Sequence, residues 1–355
     1  MKNFILHINL ILLFAGIVVS CSNEQQSILD IKHTEKLLET RPDSALKLLK
    51  QIDPKVLSTS EYARYCLLMT EALGKNQIPI TSDSLISVAV EYFNDKSDKD
   101  IKAKTYFYAG WVNQEMQNTK QAMEYFLKAA DFAEGDKDYK LQYLIYFYLG
   151  DLYFQENLYD SALKMNKQAF KFSKLLGNKN YMVYALRSTA LAYSGKGQKD
   201  SSIVYYSKAI DLLPKSDSVT LATLYNEIGD RYNDIKKFKQ AIQYVDKAIS
   251  LNPSSEELHY FYVVKAHIYY SSAQYDSAYY YYSKTVESPN LNTKVDSYLK
   301  LSNIERKRGN LKKAFEYTDI FLHNKDLIEE QSHSEMIIKM QNIYQHKKTV
   351  EKSSI

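Results

Sequence analysis

The 355-residue chain is short of the residues that bend and cross-link a backbone: Gly occurs 10 times, Pro 6 times, Cys twice and Trp once. So little Gly and Pro argues against sandwiches, propellers and the glycine-rich loops that cradle nucleotide phosphates. It fits short turns that seldom require special backbone angles. A basic run is missing too. Forty-six Lys and Arg face 42 Asp and Glu, a net +4 spread along the chain, so nucleic acid is not an expected partner. No HExxH, Walker loop or GxGxxG occurs, and His259 and His267 stand eight apart, not the four that puts two ligands on one helical face. Glu256-Glu257 and Glu329-Glu330 read as solvated helix faces or first-turn charges. No catalytic residue, metal site or cofactor is expected. What the chain has is tyrosine, 32 copies beside 14 Phe, within 45% hydrophobic residues. That composition buries a core of real size and predicts a helix-rich, tyrosine-packed protein.

Residues 1–20 read as a signal peptide. Lys2 gives a positive start, Phe4 to Val19 is mostly apolar though interrupted by His7 and Asn9, and Val18-Val19-Ser20-Cys21 follows. A Cys directly after a small residue resembles a bacterial lipoprotein lipobox, with Val18 where Leu is commoner. The resemblance implies that Cys21 is acylated and begins the mature chain. An ordinary signal peptide or a membrane anchor is the competing reading, and the stretch is short for a spanning helix. With Cys21 lipidated, Cys66 has no partner within the chain. It sits in the apolar stretch Tyr65-Cys66-Leu67-Leu68-Met69, as a packed thiol does. Residues 21–26 form a polar tether, whose single Glu24 falls short of the acidic run that sends some Bacteroidetes lipoproteins to the cell surface. The expected location is the cell envelope, on the periplasmic side of the outer membrane, with surface exposure left open.

A short phrase then recurs: Asp43-Ser44-Ala45, Asp83-Ser84-Leu85, Asp160-Ser161-Ala162, Asp200-Ser201-Ser202 and Asp276-Ser277-Ala278. Gln121-Ala122, Gln240-Ala241 and Lys313-Ala314 keep its last residue, giving eight units spaced 36 to 40 residues apart. Asp suits a helix N-cap and the positive end of the helix dipole. An amphipathic pattern follows each phrase, as in Ala241, Ile242, Val245, Ala248 and Ile249. Twelve residues before the anchor stands another small residue in six of the units: Gly110, Gly150, Ala190, Gly229, Ala266 and Ser302. Two antiparallel helices per unit, with small residues where they cross, make an array of helical hairpins.

The array resembles tetratricopeptide repeats: Tyr225-x2-Ile228-Gly229-x2-Tyr232 with Ala241-x3-Val245 and Pro253, Tyr146-x2-Leu149-Gly150-x2-Tyr153 with Ala162, and Tyr106-x2-Ala109-Gly110 with Ala122-x3-Phe126. The fold expected is an all-α, tetratricopeptide-like solenoid of about eight hairpins over residues 27–325, with a C-terminal capping or juxtamembrane-like helix and tail over 326–355. The period exceeds the family's usual length by roughly one helical turn. Recurrent tyrosines, Tyr106, Tyr146, Tyr225, Tyr262 and Tyr298 heading first helices and Tyr153, Tyr193, Tyr232 and Tyr269 after the crossing, are expected to pack repeats together.

In that family the first helix of each hairpin faces a concave groove that reads peptides or partner proteins. The resemblance implies a groove of Phe107, Trp111, Phe147, Asp151, Phe154, Arg187, Asn226, Asp230, His267 and Tyr270, aromatic in its first half and polar beyond. A competing reading packs the same rings between repeats. The function expected is a non-catalytic, lipid-anchored scaffold for a protein or peptide partner. The alternative rests on 340–348, which resemble the segment preceding the transmembrane helix of Bacteroidetes regulators. The chain would then be the sensory part of a truncated regulator.

Overall fold

The computed structural model describes residues 31, 33–96, 99–214, 216–251 and 253–353. The expected signal peptide, Cys21 and the tether lie outside the described residues. Within them every regular element is helical. The chain divides into two compact units, one running to Leu141 and taking in Asn342–Ile355, the other spanning Gln142–Gln341.

The first unit holds α1 (Pro42–Leu49), α2 (Thr59–Lys75), α3 (Ser84–Lys96), α4 (Lys99–Glu115) and α5 (Thr119–Phe132). Each packs on the next in sequence, and α2 also reaches α4. Cys66 lies fully buried among Leu38, Leu49 and Leu68, the packed thiol its neighbours predict. Burial pushes that thiol up to about 11, so it is not a thiolate nucleophile at neutral pH.

α6 (Tyr139–Gln155) leads into the second unit, followed by α7 (Tyr159–Leu176), α8 (Lys179–Gly195), α9 (Lys199–Leu212), α10 (Ser218–Asp234) and α11 (Phe238–Ser250). Then come α12 (Ser255–Ser271), α13 (Tyr275–Thr285), α14 (Leu291–Lys307) and α15 (Leu311–Ser353). From α7 to α14 successive helices pair, and α10 touches α12 as α12 touches α14, so first helices stack on first helices. The break expected after residue 325 is absent, because α15 continues through it as one helix.

The crossing residues are small because a helix lies against them. A Cβ on Gly229 would stand 2.6 Å from Val245 Cγ2 and 3.1 Å from the Ala241 carbonyl oxygen. On Gly110 it would meet the Phe126 ring at 2.6 Å. Ala45, Ala122, Ala162, Ala241 and Ala278 are all at 0% exposure, which leaves no room for a larger anchor.

Two expectations about helix ends are corrected. Asp43, Asp160, Asp200 and Asp276 are not N-caps: each is the second residue of its helix, and the residues at the cap make no side-chain bond. There the carboxylates face the positive end of the dipole, and Asp160 also pairs with Lys196 at 2.5 Å. Side-chain caps stand mostly on the first helices, Ser58 and Ser254 in capping boxes and Asn178, Asp217 and Asn290 singly, with Asn310 accepting from the Lys313 N–H at the start of α15. The turns between paired helices also need a left-handed residue after all. Gln77, Gln117, Asn157, Lys236 and Ala273 have φ from 56° to 59°. In each the following N–H reaches back five residues, as from Leu158 to the Tyr153 carbonyl at 2.8 Å, the bonding of a Schellman turn. Non-glycine residues fill these five turns, and Gly197 and Gly309 fill the corresponding α8–α9 and α14–α15 turns.

The tyrosines form a ladder between paired helices. Tyr106 stacks on Phe132 with centroids 5.5 Å apart, and Tyr146 on Phe172 at 5.6 Å. Tyr244 lies between Tyr225 at 5.9 Å and Tyr232 at 5.3 Å, and Tyr281 likewise between Tyr262 at 5.5 Å and Tyr269 at 5.6 Å. The second-helix ring three residues after the anchor (Tyr125, Tyr205, Tyr244, Tyr281, Tyr317) completes the pattern. Lysines three residues on lie over several of these rings, Lys208 at 4.7 Å from Tyr205 and Lys247 at 4.8 Å from Tyr244.

Candidate functional site

The first helices carry the predicted groove residues, and the structure sorts them by exposure. Phe107 and Asn226 are buried, at 4% and 0%. Phe107 packs on Phe126 at 5.8 Å, which makes it core and removes it from a contact surface. The other eight are partly exposed. In the first unit, Trp111 lies against the preceding first helix, its ring 2.8 Å from where a Cβ on Gly74 would stand. In the second, Phe147 stacks on Tyr143 at 5.6 Å, Phe154 tilts against Tyr159 at 5.8 Å, and Tyr270 meets Tyr275 edge-on at 5.6 Å. Each ring leaves one side exposed and packs the other on a neighbour.

The polar members pair with residues that sequence reasoning did not single out. Arg187 on α8 donates through Nε to both carboxylate oxygens of Glu227 on α10, each at 3.0 Å. Glu227 is 9% exposed, so this forked bond replaces most of the water a carboxylate would hold. Burial pushes the Tyr206 phenol up, and the Glu227 carboxylate adds to the rise. Asp230 pairs with Arg231, which also reaches Asp234 at 3.2 Å and donates to Ser194. Asp151 accepts from Gln155 at 2.8 Å. His267 Nε2 stands 2.9 Å from Asp296 on α14. Burial opposes ionisation of Asp296, but the bond to His267, the charge on that ring and the charge of Lys300 together outweigh it and hold the carboxyl below the usual range. Glu227 and Asp296 lie 40 and 29 residues from their mates. Their one signal was the repeat period itself, which sets Arg187 and Glu227 on neighbouring first helices.

One stripe of α10 is chemically distinct. Neither amide atom of buried Asn226 has a hydrogen-bond partner, nor does Asn233 Oδ1 or Arg231 Nε. Asn226, Asp230 and Asn233 stand at helical spacing along the side that faces the predicted groove, with Arg231 beside them. Buried polar groups left unbonded are costly, and an amide offers both donor and acceptor, the pair a polypeptide backbone also offers. Among the described residues no group of three or more His, Cys, Asp or Glu could hold a metal ion, and no helix is long and apolar enough to cross a membrane.

The tetratricopeptide repeat family model matches residues 103–136, 190–216 and 222–255, three of the hairpin units described above. By sequence, no curated protein matches the chain. By structure it is similar to the apo form of RapI, with a TM-score of 0.64 and 12% identity over 86% of this chain and 99% of that one. It is similar also to a Rap protein complexed with Competence and Sporulation Factor, at 0.55 and 12% over 86% and 99%. The apo form of the quorum sensor NprR from B. thuringiensis gives 0.58 and 12% over 85% and 99%. At such identities the likeness is one of fold. The chain carries tetratricopeptide repeats in an all-helical, tetratricopeptide-like solenoid fold.

Proposed function

We propose that the chain is a non-catalytic interaction scaffold, a lipoprotein of the Bacteroidetes type tethered to the cell envelope through Cys21, that holds a protein or peptide partner along its first helices. The partly exposed polar face of the first helices carries this reading, because Asp151, Arg187, Asp230 and His267 each keep accessible surface on the side the repeats share. The partly exposed rings of Phe154 and Tyr270 add apolar anchors in the same unit. A similar fold has been solved holding a factor, in the Rap complex. A catalytic thiol is disfavoured by the burial of Cys66.

The test is photo-crosslinking in native envelopes, with the photoreactive residue at Tyr270 or Phe154 and, as control, at exposed Val204 on α9. A discrete adduct is expected from the first-helix positions and not from Val204. Equal labelling from all three would end the groove reading. In the same cells Cys21→Ala should move the chain out of the membrane fraction, and unchanged fractionation would sink the anchor.

A further inference from the structure

Three helical stripes of the second unit converge away from the α10 stripe. On α7, Leu163, Lys167 and Phe170 recur at intervals of three or four and share one side of the helix. Leu186 and Tyr193 on α8 and Tyr205, Lys208 and Leu212 on α9 do the same, and between them lies an open groove of about 1020 Å³. The floor is carbon: Phe170, Tyr205 and Leu212 rest on the buried cluster of Leu186, Tyr206 and Leu224, which fixes them in place. Tyr193 and Tyr205 stack at 5.1 Å along one wall.

The rim is cationic. Lys164, Lys167 and Lys208 are exposed and line the groove with Asp160 and Asp211. Asp160 is already taken by Lys196 at 2.5 Å. Three ammonium groups therefore outweigh one free carboxylate in the field a ligand meets. A wholly polar anion would leave the carbon floor wet, and a neutral hydrocarbon would leave the lysines unused. The volume is that of a pocket for a small molecule, which typically runs to about 1,000 Å³.

We propose that this groove binds a single-chain amphiphile with an anionic head, its hydrocarbon on the floor and its head among Lys164, Lys167 and Lys208. The site is independent of the partner reading above: it lies mainly on the second helices α7 and α9, with Leu186 and Tyr193 of α8 between them. Calorimetric titration of the full chain with monomeric dodecanoate tests it, beside decanoate, dodecan-1-ol and vesicles of phosphatidylglycerol. Dodecanoate should bind, and decanoate should bind about fifteenfold more weakly for its two missing methylenes. Dodecan-1-ol, and dodecanoate with the Lys164→Glu/Lys167→Glu variant, should each weaken roughly tenfold or more. Both lysines are exposed, so the variant should keep the parental Tm. A second variant, Leu163→Glu, puts charge on the floor and should abolish binding while circular dichroism stays helical. Equal affinity for the acid and the alcohol, or unchanged binding by the double variant, would overturn the proposal. So would retention by the vesicles with no heat from dodecanoate, which would assign the lysines to a membrane surface.

Discussion

Ala273 occupies a left-handed turn at φ 59° with its side chain exposed, so its methyl group gains no packing there and crowds the following carbonyl. The left-handed conformation costs an L-residue about 1–2 kcal/mol, while glycine gives back roughly 0.5–1 kcal/mol through its freer unfolded chain. Ala273→Gly should therefore stabilise the protein by about 0.5–1 kcal/mol, read as a higher denaturant midpoint with unchanged slope. A lower midpoint would mean that the turn does not persist in solution. The same arithmetic makes Asn157 the best tolerated of the five, since Asn visits this region most readily.

At the scale of helices, packing distance decides between two opposed effects. Gly229→Ala raises helix propensity by about 1 kcal/mol, yet puts a methyl 2.6 Å from Val245 Cγ2 and 3.1 Å from a backbone oxygen. Overpacking costs about 1–3 kcal/mol, and a β-branched side chain in a helix has little room to turn aside. The variant should lose stability on balance. In a Val245→Ala background the same change should cost less, and a double-mutant cycle in which the two effects simply add would exclude the crossing as the cause.

These crossings were legible in the sequence because small residues recur there twelve before six of the eight anchors, and the hairpin period and heading tyrosines were legible for the same reason. Other features left no such mark. Turn shape comes from backbone bonds that Gln, Asn, Lys and Ala all accept. Asp-Ser phrases looked like caps because side-chain type alone does not separate the cap from the second helical residue. The Arg187–Glu227 fork, the burial of Asn226 and the groove between α7 and α9 all depend on how one hairpin lies on the next. A one-dimensional pattern fixes faces better than it fixes neighbours.

At the scale of the molecule, each compact unit has its own ties and should answer separately to conditions. In the first, Glu39 is bonded by Lys75 at 2.8 Å and by Lys140. Partial burial opposes its charge, but the two lysines outweigh it and hold the carboxyl at about 2, against 4.5 for a free glutamate. Its contribution is therefore present above pH 4.5 and is lost as pH falls from 4.5 towards 2. The fall in Tm across that window should be shallower for Glu39→Gln than for the parent. Parallel curves would show that other groups drive acid unfolding. Half of the side chain is exposed, so the effect should also shrink in high salt.

The indole lodged against Gly74 has a spectroscopic consequence. Trp111 is the one tryptophan in the chain, and it belongs to the first unit, whereas 32 phenols are spread over both. Light at the red edge of the protein band, where phenols are nearly transparent, therefore excites the first unit alone. Its emission colour reports whether the wedge between α2 and α4 is dry or open to water. Far-ultraviolet dichroism averages every helix, so any divergence between the two signals separates the melting of one unit from that of the other. The protein carries its own local thermometer, and no label need be added to read it.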